Sequence, residues 1–137
     1  MSPAPPDVSA PPPAWRETVL WLGLLALVAA SVQYVFPFPF DADANYHLAV
    51  ARLTREHGIL QAFPWTPESW LSDHYADKEL LFHLALVPLA GLDASTAARL
   101  GGALFGTLAL WSLFLVLRAE KVPAAGVWTL VALASSG

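Results

Sequence analysis

The chain has 137 residues, 56% of them hydrophobic and only 13% charged, with a mean hydropathy of +0.52. Soluble domains carry about 25% charged residues, so this deficit points to an integral membrane protein. A net charge of −4 leaves no basic stripe for a phosphate backbone and excludes nucleic acid as a partner; the absence of cysteine excludes disulfides, thiolate metal sites and a cysteine nucleophile.

Residues 1–14 hold Pro3, Pro5, Pro6, Pro11, Pro12 and Pro13 among small residues. Such a segment cannot bury apolar surface and is expected to be a disordered or polyproline-type tail. It lacks the basic start of a secretory signal, which favours a retained anchor over a cleaved one. The first apolar run, 19–36, is broken only by Ser31, Gln33 and the Tyr34 hydroxyl. A spanning helix needs about 20 such residues. Trp15 and Trp21 at one end, with Tyr34 and Phe36 at the other, suit interfacial belts, and Pro37 and Pro39 end the run.

Asp43 reads as an N-cap for a helix over 44–57 that stops at Gly58. Tyr46, Ala49, Val50 and Leu53 share one face of it, and Asn45, Arg52, Arg55 and Glu56 the other. It is too short and too charged to span, and is expected to lie at the interface with its apolar side down. Phe63-Pro64-Trp65-Thr66-Pro67 is a stiff aromatic loop, and Trp70 adds a further anchor. The apolar run 79–92 contains His83 and Pro88 and, extended back through Ala76 and Asp77, just reaches spanning length. The next run, 100–117, carries Gly101, Gly102, Ala103, Gly106 and Ala109 for close helix packing. After a polar turn, 118–123, a last run begins and stops at Gly137 without a polar flank, as expected of the N-terminal piece of a longer protein.

The predicted fold is therefore all-α. Residues 15–137 form part of a polytopic transmembrane domain with about four helices, over 17–36, 77–92, 99–117 and 122–137, the last cut short. An interfacial amphipathic helix lies in an extracytoplasmic loop, 37–76. A cytoplasmic N-terminus puts Arg16 and Arg99 inside but Arg52, Arg55, Lys78, Arg118 and Lys121 outside, against the usual bias of Lys and Arg towards the cytoplasm.

Residues 40–83 carry seven of the eleven carboxylates and all four histidines. Ionisable groups gathered between membrane spans are costly unless they serve a function. Asp41 and Asp43 form an Asp-x-Asp at the mouth of the first span, with His47 one turn beyond Asp43. Two carboxylates and an imidazole suit a hard divalent ion such as Mg or Mn, and either carboxylate can take a proton from a nucleophile. The structural alternative makes Asp43 a helix cap and Asp41 a solvated charge. Asp73, His74, Asp77 and Glu79 are a second polar cluster, in which Asp73 and Asp77 share a face if that stretch is helical. His83 sits one turn inside an apolar run, either as a functional group or as a neutral histidine bonded to another helix. Arg99 can bind a phosphate headgroup or snorkel to the interface.

The segment Asp41-Ala42-Asp43-Ala44-Asn45-Tyr46-His47 resembles the first extracytoplasmic loop of the GT-C glycosyltransferase superfamily; in its oligosaccharyltransferase catalytic subunits an Asp is followed closely by Tyr-His and an amphipathic helix, a pattern that Asp43, Tyr46 and His47 match. Ala97-Ala98-Arg99-Leu100 resembles a motif of the protein mannosyltransferase and aminoarabinose transferase branch. Asp77-Lys78-Glu79-Leu80-Leu81 stands where that branch carries a Lys-Pro-Pro-Leu-like motif, without the proline pair. The resemblance implies a sugar transferred from a polyprenyl-phosphate-linked donor to a glycan, protein or lipid acceptor at the outer face of a bacterial inner membrane. It makes Asp43, then Asp41, the catalytic carboxylate. Arg99, Lys78 and Tyr46 become substrate-binding residues, and Asp41, Asp43, His47 and Asp77 metal candidates. The competing expectation is a non-enzymatic membrane protein, a transporter piece or assembly factor, whose loop acids are solvated; a small complete metal-binding membrane protein is a third.

Overall fold

The computed structural model describes residues 14–35 and 42–135, and these are helical throughout their ordered elements. The proline-rich tail, the expected stop at Pro37 and Pro39, and Asp41 lie outside the described residues. Helix α1 covers Ala14–Val32, α2 Ala42–His57, α3 Leu80–Leu86, α4 Ala94–Ala119 and α5 Ala125–Ala134. Short 3-10 turns stand at Trp70–Ser72 and Val87–Leu89.

Helices α1 and α4 are the long elements, of 19 and 26 residues. At about 1.5 Å per residue they run roughly 28 and 39 Å, against a hydrocarbon core of about 30 Å. Both are long and apolar enough to cross a membrane. Three hydroxyls within these helices do not interrupt the apolar surface, because each bonds back to the carbonyl four residues earlier. Ser31 donates to Leu27 at 2.7 Å, Thr107 to Ala103 at 2.6 Å and Ser112 to Leu108 at 2.8 Å. Much of their surface faces away from the protein: Leu20 is 73% exposed, Leu27 64% and Val116 58%.

The two helices pack antiparallel, pinned at both ends. At one end Arg99, near the start of α4, donates to the carbonyl of Gln33, just past the end of α1. At the other, Arg118 donates to Thr18 Oγ1 at 2.5 Å. Between them Leu25, Ala29, Leu110 and Phe114 are buried together with Ala125 of α5. Trp21 tilts against Phe114 with ring centroids 6.0 Å apart and lies over Gly126, where a side chain would collide with its indole. The chain reverses from α4 into α5 through left-handed backbone at Lys121 and Ala124. Asp93 caps α4 by accepting the Thr96 backbone N–H at 3.0 Å. That bond, chiefly, holds its carboxyl below the ordinary aspartate range. The cap is thus in force at neutral pH and is lost only as pH falls through that lowered value.

Helix α2 buries Leu48, Val50, Ala51 and Thr54 against the protein; of the face expected to lie down, Val50 is buried, Leu53 half-buried, and Tyr46 and Ala49 exposed. Ala51 joins Leu86 and Ala90 in a second core, with Phe82, Leu89 and Phe105 around it. Arg52 reaches across to the carbonyls of Ala90 and Leu92 at 3.2 and 3.0 Å. The helix ends as expected at Gly58, whose φ of 77° suits a residue without a Cβ. Asp43 stands in its first turn rather than at the cap, since the helix opens at Ala42.

The expected span over 77–92 is not shown. Its α-helix has only 7 residues, followed by a 3-residue 3-10 turn that contains Pro88. Together these cover about 16 Å, half of a bilayer core. The antiparallel pairing of α1 and α4 then requires that the whole segment between them begin and end at the same end of the pair. The last expected span is a 10-residue apolar helix.

Gly106 faces Ala29 so closely that a Cβ on it would lie 3.5 Å from the Ala29 Cβ, within the range a disulfide bridges. The Ala29→Cys/Gly106→Cys variant should cross-link quantitatively with a mild oxidant, as a mobility shift reversed by reductant. Val19→Cys/Gly106→Cys should not.

Candidate functional site

The loop between α2 and α3 is folded on its own backbone. Phe63 N–H bonds to the carbonyls of Leu71 and Ser72 at 3.0 and 3.2 Å, and Tyr75 N–H to the Gln61 carbonyl at 3.0 Å. The Phe63 ring packs against Trp65 and Tyr75. These bonds return the chain to the start of α2 and place Asp77 beside it. Residues 74–77 are irregular, so the helical pairing of Asp73 with Asp77 does not form. His74 instead stacks on Trp70, with planes 7° apart.

At this return a line of four side chains runs from the interior to the surface. Asp77, almost wholly buried, accepts from His83 Nδ1 at 2.6 Å, and its other oxygen accepts the Glu79 backbone N–H at 2.9 Å. His83, completely buried, meets His47 Nδ1 through its Nε2 at 2.8 Å. His47 Nε2 lies 3.2 Å from Asp43 Oδ2. Asp43 is the exposed end of the line, its side chain 77% accessible. Glu79 Oε2 stands 3.7 Å from His47 Nδ1, and Lys78 pairs with the other Glu79 oxygen at 3.7 Å.

Aromatic rings close the sides. Phe82 meets the His47 ring edge-on at 4.9 Å between centroids, and Tyr46 stands edge-on to both His47 and His83 at 5.3 and 6.0 Å. The Tyr46 and Tyr75 hydroxyls approach to 3.5 Å. Burial, chiefly, and then the bond to Tyr46 and the nearby Asp77 and Glu79 charges drive the Tyr75 phenol well above its ordinary range. It therefore stays a neutral hydroxyl at any physiological pH.

Of the residues anticipated from sequence, Asp43, Tyr46, His47, Asp77 and Lys78 come together here. Arg99 is engaged at the end of α1, where it holds the Gln33 carbonyl and lies 4.7 Å from the centre of the Tyr34 ring. Asp41 lies outside the described residues. Glu79 and His83 belong to the site but were not chosen for it. His83 was visible as an ionisable residue in an apolar run, but its partner Asp77 is six positions away, a spacing no helix brings together. Only the non-helical approach to α3 makes the contact. Comparison with protein-family models, with curated proteins and with solved structures finds no match to this chain.

His83→Ala would leave Asp77 as an unpaired carboxylate in the interior, a loss of about 3–5 kcal/mol by analogy with other broken buried pairs. Thermal unfolding in detergent should show this drop. The His83→Ala/Asp77→Ala double variant should recover part of it, because no buried charge then remains.

Proposed function

We propose that this protein is a membrane glycosyltransferase of the GT-C type, moving a sugar from a polyprenyl-phosphate-linked donor to an acceptor at the extracytoplasmic face of a bacterial inner membrane. Asp43 is the carboxylate that takes the acceptor proton. The observation that carries the reading is the hydrogen-bonded line Asp77–His83–His47–Asp43, which ends in an exposed carboxylate in the first turn of α2. A base must meet its substrate, and Asp43 is the accessible member. The buried members set the His47 ring and hence its bond to Asp43.

In this reading α1 and α4 cross the bilayer, α5 enters beside them, and α2 and α3 rest at the outer surface. The arrangement reduces the charge conflict seen in the sequence, leaving Arg52, Arg55, Lys78 and Arg99 on the outer side. With α1 and α4 antiparallel, Arg16, Arg118 and Lys121 share the cytoplasmic end, and the turn after α4 no longer opposes the usual bias. Arg99 then lies on the outer side with the loop, at the level where a lipid-linked phosphate would sit; Lys78, 84% exposed, is the more available cation.

Asp43→Ala should lower sugar transfer by roughly 100-fold or more, the usual worth of a positioned base, in membranes where the variant still accumulates. Unchanged transfer would remove Asp43 from the chemistry. Because the native chain has no thiol, sidedness is directly measurable. Ser72→Cys and Ala94→Cys should both react with an impermeant maleimide on intact cells, and Glu120→Cys only after permeabilisation. The opposite pattern would place the site in the cytoplasm and overturn the assignment.

A further inference from the structure

The two histidines of the line are each held from outside by a carboxylate. His83 Nδ1 lies 2.6 Å from Asp77 and His47 Nε2 3.2 Å from Asp43. Asp77, buried and 2.6 Å away, fixes His83 Nδ1 as an N–H donor, so the inward His83 Nε2 carries a lone pair. It faces His47 Nδ1 at 2.8 Å, and in the His47 tautomer whose Nε2–H points to Asp43 that nitrogen carries a lone pair too. A metal ion between the rings then binds both, with the rings spread slightly. Glu79 supplies a third ligand, since its carboxylate and the two inward nitrogens all lie within 4.8 Å of one another.

We propose that His47, His83 and Glu79 bind one first-row divalent ion, zinc by preference. The site goes beyond the transferase reading and does not depend on it. Two imidazole nitrogens and one carboxylate oxygen match a three-ligand zinc site that leaves a fourth position for water or a substrate oxygen. Nitrogen donors move the choice away from the hard Mg or Mn suited to an all-carboxylate set. With metal–nitrogen bonds of about 2.0–2.1 Å, tetrahedral ligands stand roughly 3.4 Å apart, so the histidine nitrogens need to separate by about half an ångström. Asp77 and Asp43 serve as the outer carboxylates that fix ring orientation and raise ligand basicity. Complete burial of His83 keeps one ligand immobile, while Glu79, on the exposed side, leaves an approach for the ion.

The test uses the full chain purified in detergent, stripped with chelator, and titrated with Co²⁺ as a spectroscopic stand-in. The wild-type protein should develop the intense visible d–d bands of a four-coordinate cobalt centre at one ion per chain, and Zn²⁺ should abolish them stoichiometrically. His47→Gln and Glu79→Gln, which replace the two more exposed ligands, should each weaken binding at least tenfold. Asp77→Asn should weaken it by about 10–100-fold as an orienting partner, and His57→Gln should leave it unchanged. Circular dichroism of each variant guards against misfolding. Absence of the bands in the wild type would mean that a proton alone joins the rings and would overturn the proposal. So would bands that persist in both His47→Gln and Glu79→Gln.

Discussion

The antiparallel contact between α1 and α4 governs the rest of this molecule. Two apolar rods of unequal length lie side by side, and each end is tied by an arginine to a group on the facing helix: Arg99 to the Gln33 carbonyl, Arg118 to Thr18. Small residues make the approach close, with Gly106 against Ala29 and Gly126 beneath Trp21. Without a hydrophobic driving force in lipid, such close packing and such hydrogen bonds are what hold helices together. Once these rods are antiparallel, everything between them must leave and return at one end. Within the segment 33–93, α3 packs against α2.

That confinement explains how a buried polar line can exist in so apolar a chain. Asp77 and His83 are both nearly inaccessible, and a lone charge in such a place would be untenable. They persist because each satisfies the other and because the line continues to the surface through His47 and Asp43. No buried side-chain nitrogen or oxygen among the described residues lacks a partner. The line is also polarised in space. Its inner end is fully enclosed, its outer end is accessible, and two ring nitrogens face each other in the middle at 2.8 Å.

Hydropathy, end signals and turn residues were enough to place most elements. The long apolar runs became α1 and α4, and Gly58 stopped α2, while α4 begins at Ala94, earlier than expected, and α3 is shorter than its apolar run. At 77–92 the apolar run is longer than the helix it forms, because Pro88 and the 3-10 turn it occupies shorten the element. On α2, Val50 of the expected apolar face is covered by the protein while Tyr46 and Ala49 of that face are exposed.

The amino-acid order by itself determined that this is an all-helical chain with lipid-compatible rods, and that its acids and histidines are gathered into one intervening stretch. Those properties are local: they depend on side-chain polarity over a window and on the backbone preferences of Gly, Pro and capping residues. Which acids meet which histidines was decided only by tertiary structure. His47 and His83 are 36 positions apart, and they touch because Ala51, Leu86 and Ala90 pack α2 against α3 while the Phe63 loop folds back to deliver Asp77. A contact set by packing between distant segments leaves no periodic trace in the chain, so the meeting of Glu79 and His83 with His47 is not legible in it.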